Sequence, residues 1–511
     1  MKILAYRITE NRIENELSGT QTDIPIDDLL DWLLFSYSSR YSQSSCRLVV
    51  WSLSELVDLV SSRLPKTVAS QLLKPPFRAQ YGNYKLFCIP DKLFAVSKNG
   101  VEAVFYDLSQ YDVEVGVQPA LGGLQAVADR LSSALSDLGI PSPSTLSSPL
   151  AVFRQNRDWL HKLESQIPTI FDFPESILDA FEIAMNCTPR EWTTNYRVGH
   201  FPGLYNYDIS SAYPYEASNL IDLRDCTFRR SDTLSDSLLN SSYYGFLVGS
   251  FTVNPDHSLA FCSPFLAPNR DGFLTNFTGT VHNYPCSLEE VRTLYRHNMG
   301  SFKLDRGWFI SPANGVRPRF PFKQFMQDMF ALRGDDDLSS YLVKRVMNGV
   351  IGKMLETRKD AQGRITDYGD LYNSIYHALC TAGTRLRVFD FIVKNQISNV
   401  ELVHVGVDGI KTTRAIDIPT ASKMGAWRSS GQDSCFVLSP GGIVSSSRNL
   451  KNIDYDTMLT WCLEHPGASS LSPSDFDLRR LFLNQTRDFG ALPKTAGSLL
   501  HDRFISSAPV F

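Results

Sequence analysis

Apolar positions recur along this chain at two spacings, and the alternation between those spacings divides it. Up to about residue 165, strand-like runs at 2–8, 47–51, 84–89, 93–96 and 101–106 alternate with stretches of helical periodicity. The helical stretches are 26–37 (after Pro25 as a start signal), one running from a Ser52 cap to residue 64, 122–138 and 150–165. Strands interleaved with helices predict an α/β domain. The Pro- and Ser-rich stretch 141–149 reads as a loop within that domain or near its end, and no internal repeat is visible.

From about 190 to 440 the pattern differs. A strand is expected at 246–253, and a helix at 288–297 with Ser287 as its cap. A helix at 322–332 leads to an acidic turn at 334–337, a second helix runs from 338 to about 356, and a long one spans about 373–394. Residues 403–407 and 409–413 read as a tight hairpin with Asp408 at its tip. The tail after about 445 is short, polar and mixed.

Composition narrows the class. A chain of 511 residues exceeds what one core usually holds, so two or more domains are expected. With 43% hydrophobic and 20% charged residues it reads as an ordinary soluble globular protein. A net charge of -4 gives no global basic field, so any nucleic-acid contact must come from local patches. The nine cysteines are scattered and form no CxxC pair, which points away from a zinc site or a disulfide framework and toward a reducing cytoplasm. No apolar run approaches the roughly 18 residues of a membrane span, and no signal peptide or membrane partner is expected.

Three separated segments carry candidate chemistry. In the run Asp208-Ile209-Ser210-Ser211-Ala212-Tyr213-Pro214, an apolar strand delivers a carboxylate to its tip and then turns. Such a tip suits a metal ion, the serine hydroxyl suits phosphate oxygens, and the flat tyrosine can face a sugar. Lys344, Asn348 and Gly352 follow at four-residue steps, which puts them on one helix face. Asp408 sits beside the apolar ladder Val403, Val405 and Val407. Taken singly, these read as well as a strand end, a solvated helix face and a turn. Together they suit two-metal chemistry. Mg²⁺ needs only one or two protein carboxylates when substrate phosphates complete its octahedron. Two ions held this way activate an attacking hydroxyl and stabilise the leaving pyrophosphate, with the lysine neutralising phosphate charge.

The order of the segments resembles the palm and fingers motifs of family B DNA polymerases, and is most similar to the protein-primed branch. The Asp208 run matches DxxSxYP completely, Lys344 to Gly352 resembles KxxxNSxYG, and His404-Val405-Gly406-Val407-Asp408-Gly409 resembles YxDTDS. Tyr196-Arg197-Val198-Gly199 stands where the family has YxGG. Lys423-Met424-Gly425-Ala426-Trp427, then Phe436-Val437-Leu438, resembles the segment leading to KxY. The resemblance covers about 190–445 well and the N-terminal region weakly.

It implies an α+β multidomain, right-hand polymerase fold. Residues 1–190 would be a degenerate, exonuclease-like (RNase H-like) α/β domain. Residues 191–320 and 396–445 would be the palm, 321–395 the fingers and an adjoining helix, and 446–511 a small thumb. Asp208 and Asp408 would be catalytic and would hold two Mg²⁺ or Mn²⁺ ions, with the Ile209 carbonyl as a further ligand. Ser211 would hold the triphosphate, Tyr213 would exclude a ribose 2′-OH, Lys344 and Arg333 would contact phosphates, and Asn348 would shape the nucleotide pocket. The implied activity is template-directed addition of dNTPs to a 3′-OH of primed DNA. A terminal protein or other replication proteins are implied as partners, and a viral or plasmid source working in host cytoplasm as the setting.

Departures bear on that reading. Gly406 replaces the first aspartate of the third motif, which implies weakened metal binding, and Ile351 replaces a tyrosine that packs at the nascent base pair. Pro440-Gly441-Gly442-Ile443 stands where KxY is expected, and the short 352–373 stretch leaves little room for a DNA-encircling insertion. The opening strand lacks Asp-x-Glu, Trp51-Ser52-Leu53-Ser54-Glu55 stands near the expected Asn-x-x-x-Asp, and Asp107 and Asp158 are isolated, so no proofreading is expected. Local basic residues are Arg385, Arg387 and Lys394 on the long helix, and Arg448, Lys451, Arg479, Arg480 and Arg487 in the tail, where a thumb would grip phosphates. Two rival readings follow from these losses. One is a catalytically inactive, polymerase-derived protein that binds DNA or replication partners. The other is a polymerase that initiates without a conventional primer.

Overall fold

The computed structural model describes residues 2–446 except 10–11, 16–18, 23–24, 36–45, 91, 109–110, 112–120, 141–142, 144, 157, 189–190, 198, 269–273, 334–336, 361–363, 420–422 and 440–441. The expected thumb with its basic residues, most of the acidic turn and the first half of the Pro440 to Ile443 run lie outside the described residues. The chain divides into two compact units. The first comprises the described residues of Met1–Lys162 with Asp328–Gly349, and the second comprises Leu163–Gln327 with the described residues from Val350 on.

The first unit is built on an eight-stranded mixed sheet. Lys2–Thr9 runs parallel to Cys46–Val50, which runs parallel to Val101–Asp107. Antiparallel strands extend the sheet on both sides. Ile3, Leu4, Ala5 and Tyr6 are all buried, so the opening strand is covered on both faces. Helix Leu121–Asp137 is fastened to it by Gln125, whose side chain accepts from Ala5 N–H at 3.1 Å and donates to the Ile3 carbonyl at 2.7 Å. The helix after Trp51 spans Leu53–Ser61, and Ser52 does not cap it through its side chain. Ser52 Oγ pairs with Ser54 Oγ at 2.8 Å, and the Leu53 N–H goes to buried Asp107 at 3.1 Å. The expected single helix at 150–165 is two, Pro149–Asn156 and Asp158–Gln166.

The second unit holds a six-stranded antiparallel sheet. Its order is Gly442–Ser445, Trp427–Ser439, Gly199–Ile209, Gly409–Thr412, Leu402–Gly406, Thr194–Asn195. Apolar side chains of this sheet (Tyr207, Ile209, Leu402, Val405, Ile410) share one core with Val388, Phe389, Phe391 and Ile392 of helix Ser374–Lys394. Each such fully buried side chain contributes about 1.5–3 kcal/mol. Asn373 caps that helix, accepting from Tyr376 N–H at 3.1 Å and donating to the Pro168 carbonyl at 2.8 Å. A second antiparallel sheet orders Cys226–Ser231, Gly300–Pro312, Tyr244–Val253 and Gly279–Ser287. Helix Leu288–Arg296 follows, with a Ser287/Glu290 capping box. The 352–373 stretch carries a small hairpin, Thr357–Lys359 with Ile365–Tyr368.

Two differences from sequence expectation have clear causes. The Asp208 strand begins at Gly199, before Pro202 and Gly203, because the pairing tolerates both through a register shift between Phe201 and Leu204. Arg385 and Arg387 are not free surface charges. Arg385 is buried in an ion pair with buried Glu290 at 2.8 Å, and Arg387 pairs with Glu216 at 3.4 Å. Lys394 is exposed.

Candidate active site

Asp208 lies near the end of the central strand of the six-stranded sheet, between two partners. Its register neighbours are Gly409 on one side and Arg428 on the other. Tyr207 and Ile209 are buried in the core, so strand alternation turns Asp208 to the opposite face. Asp408 forms the tip of the adjoining hairpin, and its carbonyl accepts the Ile209 N–H at 2.9 Å. The fold therefore places Asp208, Ile209 and Asp408 on adjacent segments of one sheet edge.

The turn after Asp208 is strained and fastened. Ser211 is a buried non-glycine residue in the left-handed region, at φ 50 and ψ 56. Its carbonyl accepts from Tyr215 N–H at 2.9 Å and so opens helix Ala212–Ser218. Ser210 exchanges backbone bonds with the segment before the Arg428 strand, at 2.9 Å to the Ala426 carbonyl and 2.7 Å from Gly425 N–H. Gly425 adopts φ +79, and a Cβ there would come within 2.2 Å of the Tyr215 ring. Arg387 lies 4.2 Å over that ring and donates to the Gly425 carbonyl at 2.6 Å. Burial pushes the neighbouring Glu216 carboxyl up to about 7, against the pull of Arg387. Tyr213 donates to Glu191 at 3.3 Å. Burial, with the Glu191 and Asp408 carboxylates beside it, raises its phenol above the ordinary value.

Both oxygens of Asp208 have protein partners. Arg428 Nε and Nη2 donate to Oδ2 at 2.8 and 2.7 Å, and Ser430 Oγ donates to Oδ1 at 3.1 Å. The Asp208 pair, and secondarily Asp408, hold the Arg428 guanidinium still more firmly protonated than usual. Sequence reading did not find Arg428, Ser430, Glu191 or the Glu216–Arg387 pair. Arg428 directly follows Trp427, the end of a recognised segment, but nothing in its spacing marks it as facing Asp208.

Gly406 leaves no side chain on the third-motif strand, and its position is crowded. A Cβ at 406 would lie 2.8 Å from His404 Nε2. His404 is buried, with Nδ1 2.6 Å from Asn195 Oδ1, and burial lowers its pKa to about 4.

Arg333, Lys344 and Asn348 belong to the first unit. Lys344, Asn348 and Gly352 fall on the exposed face of helix Asp337–Lys353, as their spacing requires, while Ile351 is buried. Arg333 stacks 5.5 Å over Phe330 and donates to Ser340 at 3.1 Å.

The donors at this sheet edge are oxygens, the hard set that Mg²⁺ or Mn²⁺ prefers. Among the described residues no group of three or more His, Cys, Asp and Glu forms a ready cage. The fit is thus to an ion that completes its shell with substrate phosphates and that meets Arg428 at one carboxylate. No described helix is long and apolar enough to cross a membrane.

Two units, one with a mixed sheet and one with a central antiparallel sheet that carries acids at its strand tips, make a multidomain α+β fold. Solved structures agree. This chain is similar to Phi29 DNA polymerase complexed with primer-template DNA and incoming nucleotide substrates, at TM-score 0.52 and 12% identity, over 89% of this chain and 90% of that one. It is also similar to Phi29 DNA polymerase complexed with single-stranded DNA, at TM-score 0.54 and 10% identity over 87% of both chains. The fold of this chain is that of Phi29 DNA polymerase. No family model and no curated protein matches the sequence.

Proposed function

We propose that this protein is a template-directed DNA polymerase that adds dNTPs to a 3′-OH and does not proofread. One observation supports this reading above the rest: the Asp208 strand is paired with the Asp408 hairpin and runs straight into the Ser211–Tyr213 turn. Asp208, Asp408 and the Ile209 carbonyl are the proposed holders of two Mg²⁺ or Mn²⁺ ions. When bound, such ions lower the pKa of the attacking hydroxyl and stabilise the leaving pyrophosphate. The chain's own residues bind and orient. Ser211 takes triphosphate oxygens from its strained, preorganised turn. The Tyr213 ring, anchored to Glu191, closes the space a ribose 2′-OH needs. Lys344 and Arg333 are the proposed contacts for phosphate charge, and Asn348 the proposed shaper of the nucleotide pocket. The division into domains at 190, 320, 395 and 445 belongs to the same proposal, as do primed DNA, a terminal protein, and a viral or plasmid setting in host cytoplasm.

The test is primer extension with Mg²⁺ or Mn²⁺, comparing native protein and Asp208→Asn. Extension by the native chain that the substitution abolishes is expected. A folded native chain inert under both ions would sink the proposal.

A second reading is specifically favoured by Arg428 and Ser430, which occupy both oxygens of Asp208. In that reading the chain is a polymerase-derived protein that binds DNA or replication partners without catalysis. It expects Asp208→Asn to leave DNA binding and every other function unchanged. Primer-independent initiation, suggested by the lost KxY, is read in the same assay from template and dNTPs alone.

A further inference from the structure

This inference rests on the proposed metal role of Asp208 and concerns what stands in the metal's way. Arg428 is anchored opposite Asp208 by the sheet itself. Trp427, one residue earlier, pairs with Ile209 and stacks on Phe391 of the long helix, with ring centroids 3.8 Å apart. The Arg428 backbone is therefore fixed, while its side chain is half exposed and can swing. Its Nε and Nη2 both reach one oxygen of Asp208, and Ser430 holds the other. Gly406 supplies no third carboxylate, and His404 crowds the space one would need. The Asp208 and Asp408 carboxylates both act on this one guanidinium, which offsets part of the negative charge they offer to divalent ions.

We propose that Arg428 competes with divalent cations for Asp208 and so sets the metal requirement of this site. Guanidinium and metal ion cannot share the same lone pairs, so each weakens the other's hold on the carboxylate by linkage. Polyphosphate is the natural group to draw a guanidinium away, because its oxygens match the planar fork. In the absence of nucleotide the site is guarded. When a triphosphate arrives, Arg428 moves onto it and Asp208 is released for the ion.

Direct binding of Mn²⁺ alone to the full chain, read by electron paramagnetic resonance without DNA or nucleotide, tests this. Native protein, Arg428→Gln, Arg428→Lys and Asp208→Asn are compared, with folding checked by thermal melting. Arg428→Gln is expected to bind Mn²⁺ about tenfold tighter than native protein or better, a gain of one decade in affinity. Arg428→Lys, which keeps charge but loses the fork, is expected to fall between them. It also keeps the test alive should the glutamine variant misfold. Asp208→Asn is expected to lose the site. If Arg428→Gln binds no tighter than native protein while Asp208→Asn still weakens binding, the metal role stands and the competition is overturned. If no variant shows Asp208-dependent binding, the competition is overturned, and the metal role is then judged by the Asp208→Asn extension assay alone.

Discussion

The sheets of the two units use acidic residues in opposite ways. In the first unit the opening strand is buried on both faces and tied to a helix by Gln125, and the nearby buried acid, Asp107, caps a helix. In the second unit the central strand buries Tyr207 and Ile209 on one face and at its end carries Asp208 on the other, beside Asp408. Packing keeps each scaffold, and a few side chains decide whether a scaffold does chemistry. In the first unit the buried acid Asp107 serves structure. The second retains acids at a strand tip, with an arginine laid across one of them.

The strongest way to break this contrast is Asp208→Asn. If the second unit is the catalytic one, incorporation falls by more than about 10⁴-fold, roughly 5 kcal/mol of transition-state stabilisation. Excision of a mismatched 3′ end by the native protein is expected to be nil under the same conditions. Measurable excision would erase the asymmetry between the units.

The next effect concerns what holds the second unit together. Arg385 and Glu290 are both buried and paired at 2.8 Å, and Glu290 also completes the Ser287 capping box. Glu290→Ala strands a buried guanidinium and is expected to cost about 3–5 kcal/mol in denaturant unfolding. A loss below about 1 kcal/mol would mean that water reaches this pair, as it does an exposed one.

How much of this was legible beforehand depended on whether a signal was local. The Asp208 run, the Asp408 hairpin and the exposed Lys344, Asn348 and Gly352 face follow from short-range pattern, and the described elements carry them where expected. Strand Trp427–Ser439 was not legible as a strand. Its stretch Arg428-Ser429-Ser430-Gly431-Gln432-Asp433-Ser434 is polar and turn-rich, and it is extended only because it pairs with the Asp208 strand. Arg428 was hidden for the same reason. Nothing local marked Arg385 as buried, because burying an arginine needs a partner, and Glu290 lies 95 residues away in the chain. Ser52 looked like a cap because serine before an apolar run usually is one. The acid that receives the Leu53 N–H comes from a strand 54 residues later.

A smaller effect sharpens the role of the turn under Asp208. The folded Glu216 carboxyl titrates at about 7, against an ordinary 4.5. A raised carboxyl favours the folded state while protonated, so its contribution is complete below about pH 4.5 and is lost as pH rises toward 7. Native protein is expected to lose roughly 2–3 kcal/mol of stability across that window from this group. Glu216→Gln stays neutral throughout and flattens that part of the profile. Identical melting profiles for the two proteins between pH 4.5 and 7 would show that Arg387 keeps the carboxylate charged.

The smallest effect returns to the first unit and asks whether its acid is structural. Asp107 is buried and receives the Leu53 N–H at 3.1 Å, at the start of helix Leu53–Ser61. Alanine at this position leaves that donor unpaired away from water and is expected to cost about 1–2 kcal/mol. Asparagine keeps an oxygen of the same reach, and as a cap it is about as good as aspartate, so Asp107→Asn should cost less than about 0.5 kcal/mol. A catalytic carboxylate behaves the other way, since its amide keeps the shape and loses the charge on which metal binding depends. The pair of substitutions therefore separates the roles by rank order alone. Alanine worse than asparagine in stability, with nucleotide incorporation untouched by either, places Asp107 in the scaffold. Full stability with both, together with loss of any metal-dependent activity from asparagine, would move the acid of the first unit back into chemistry.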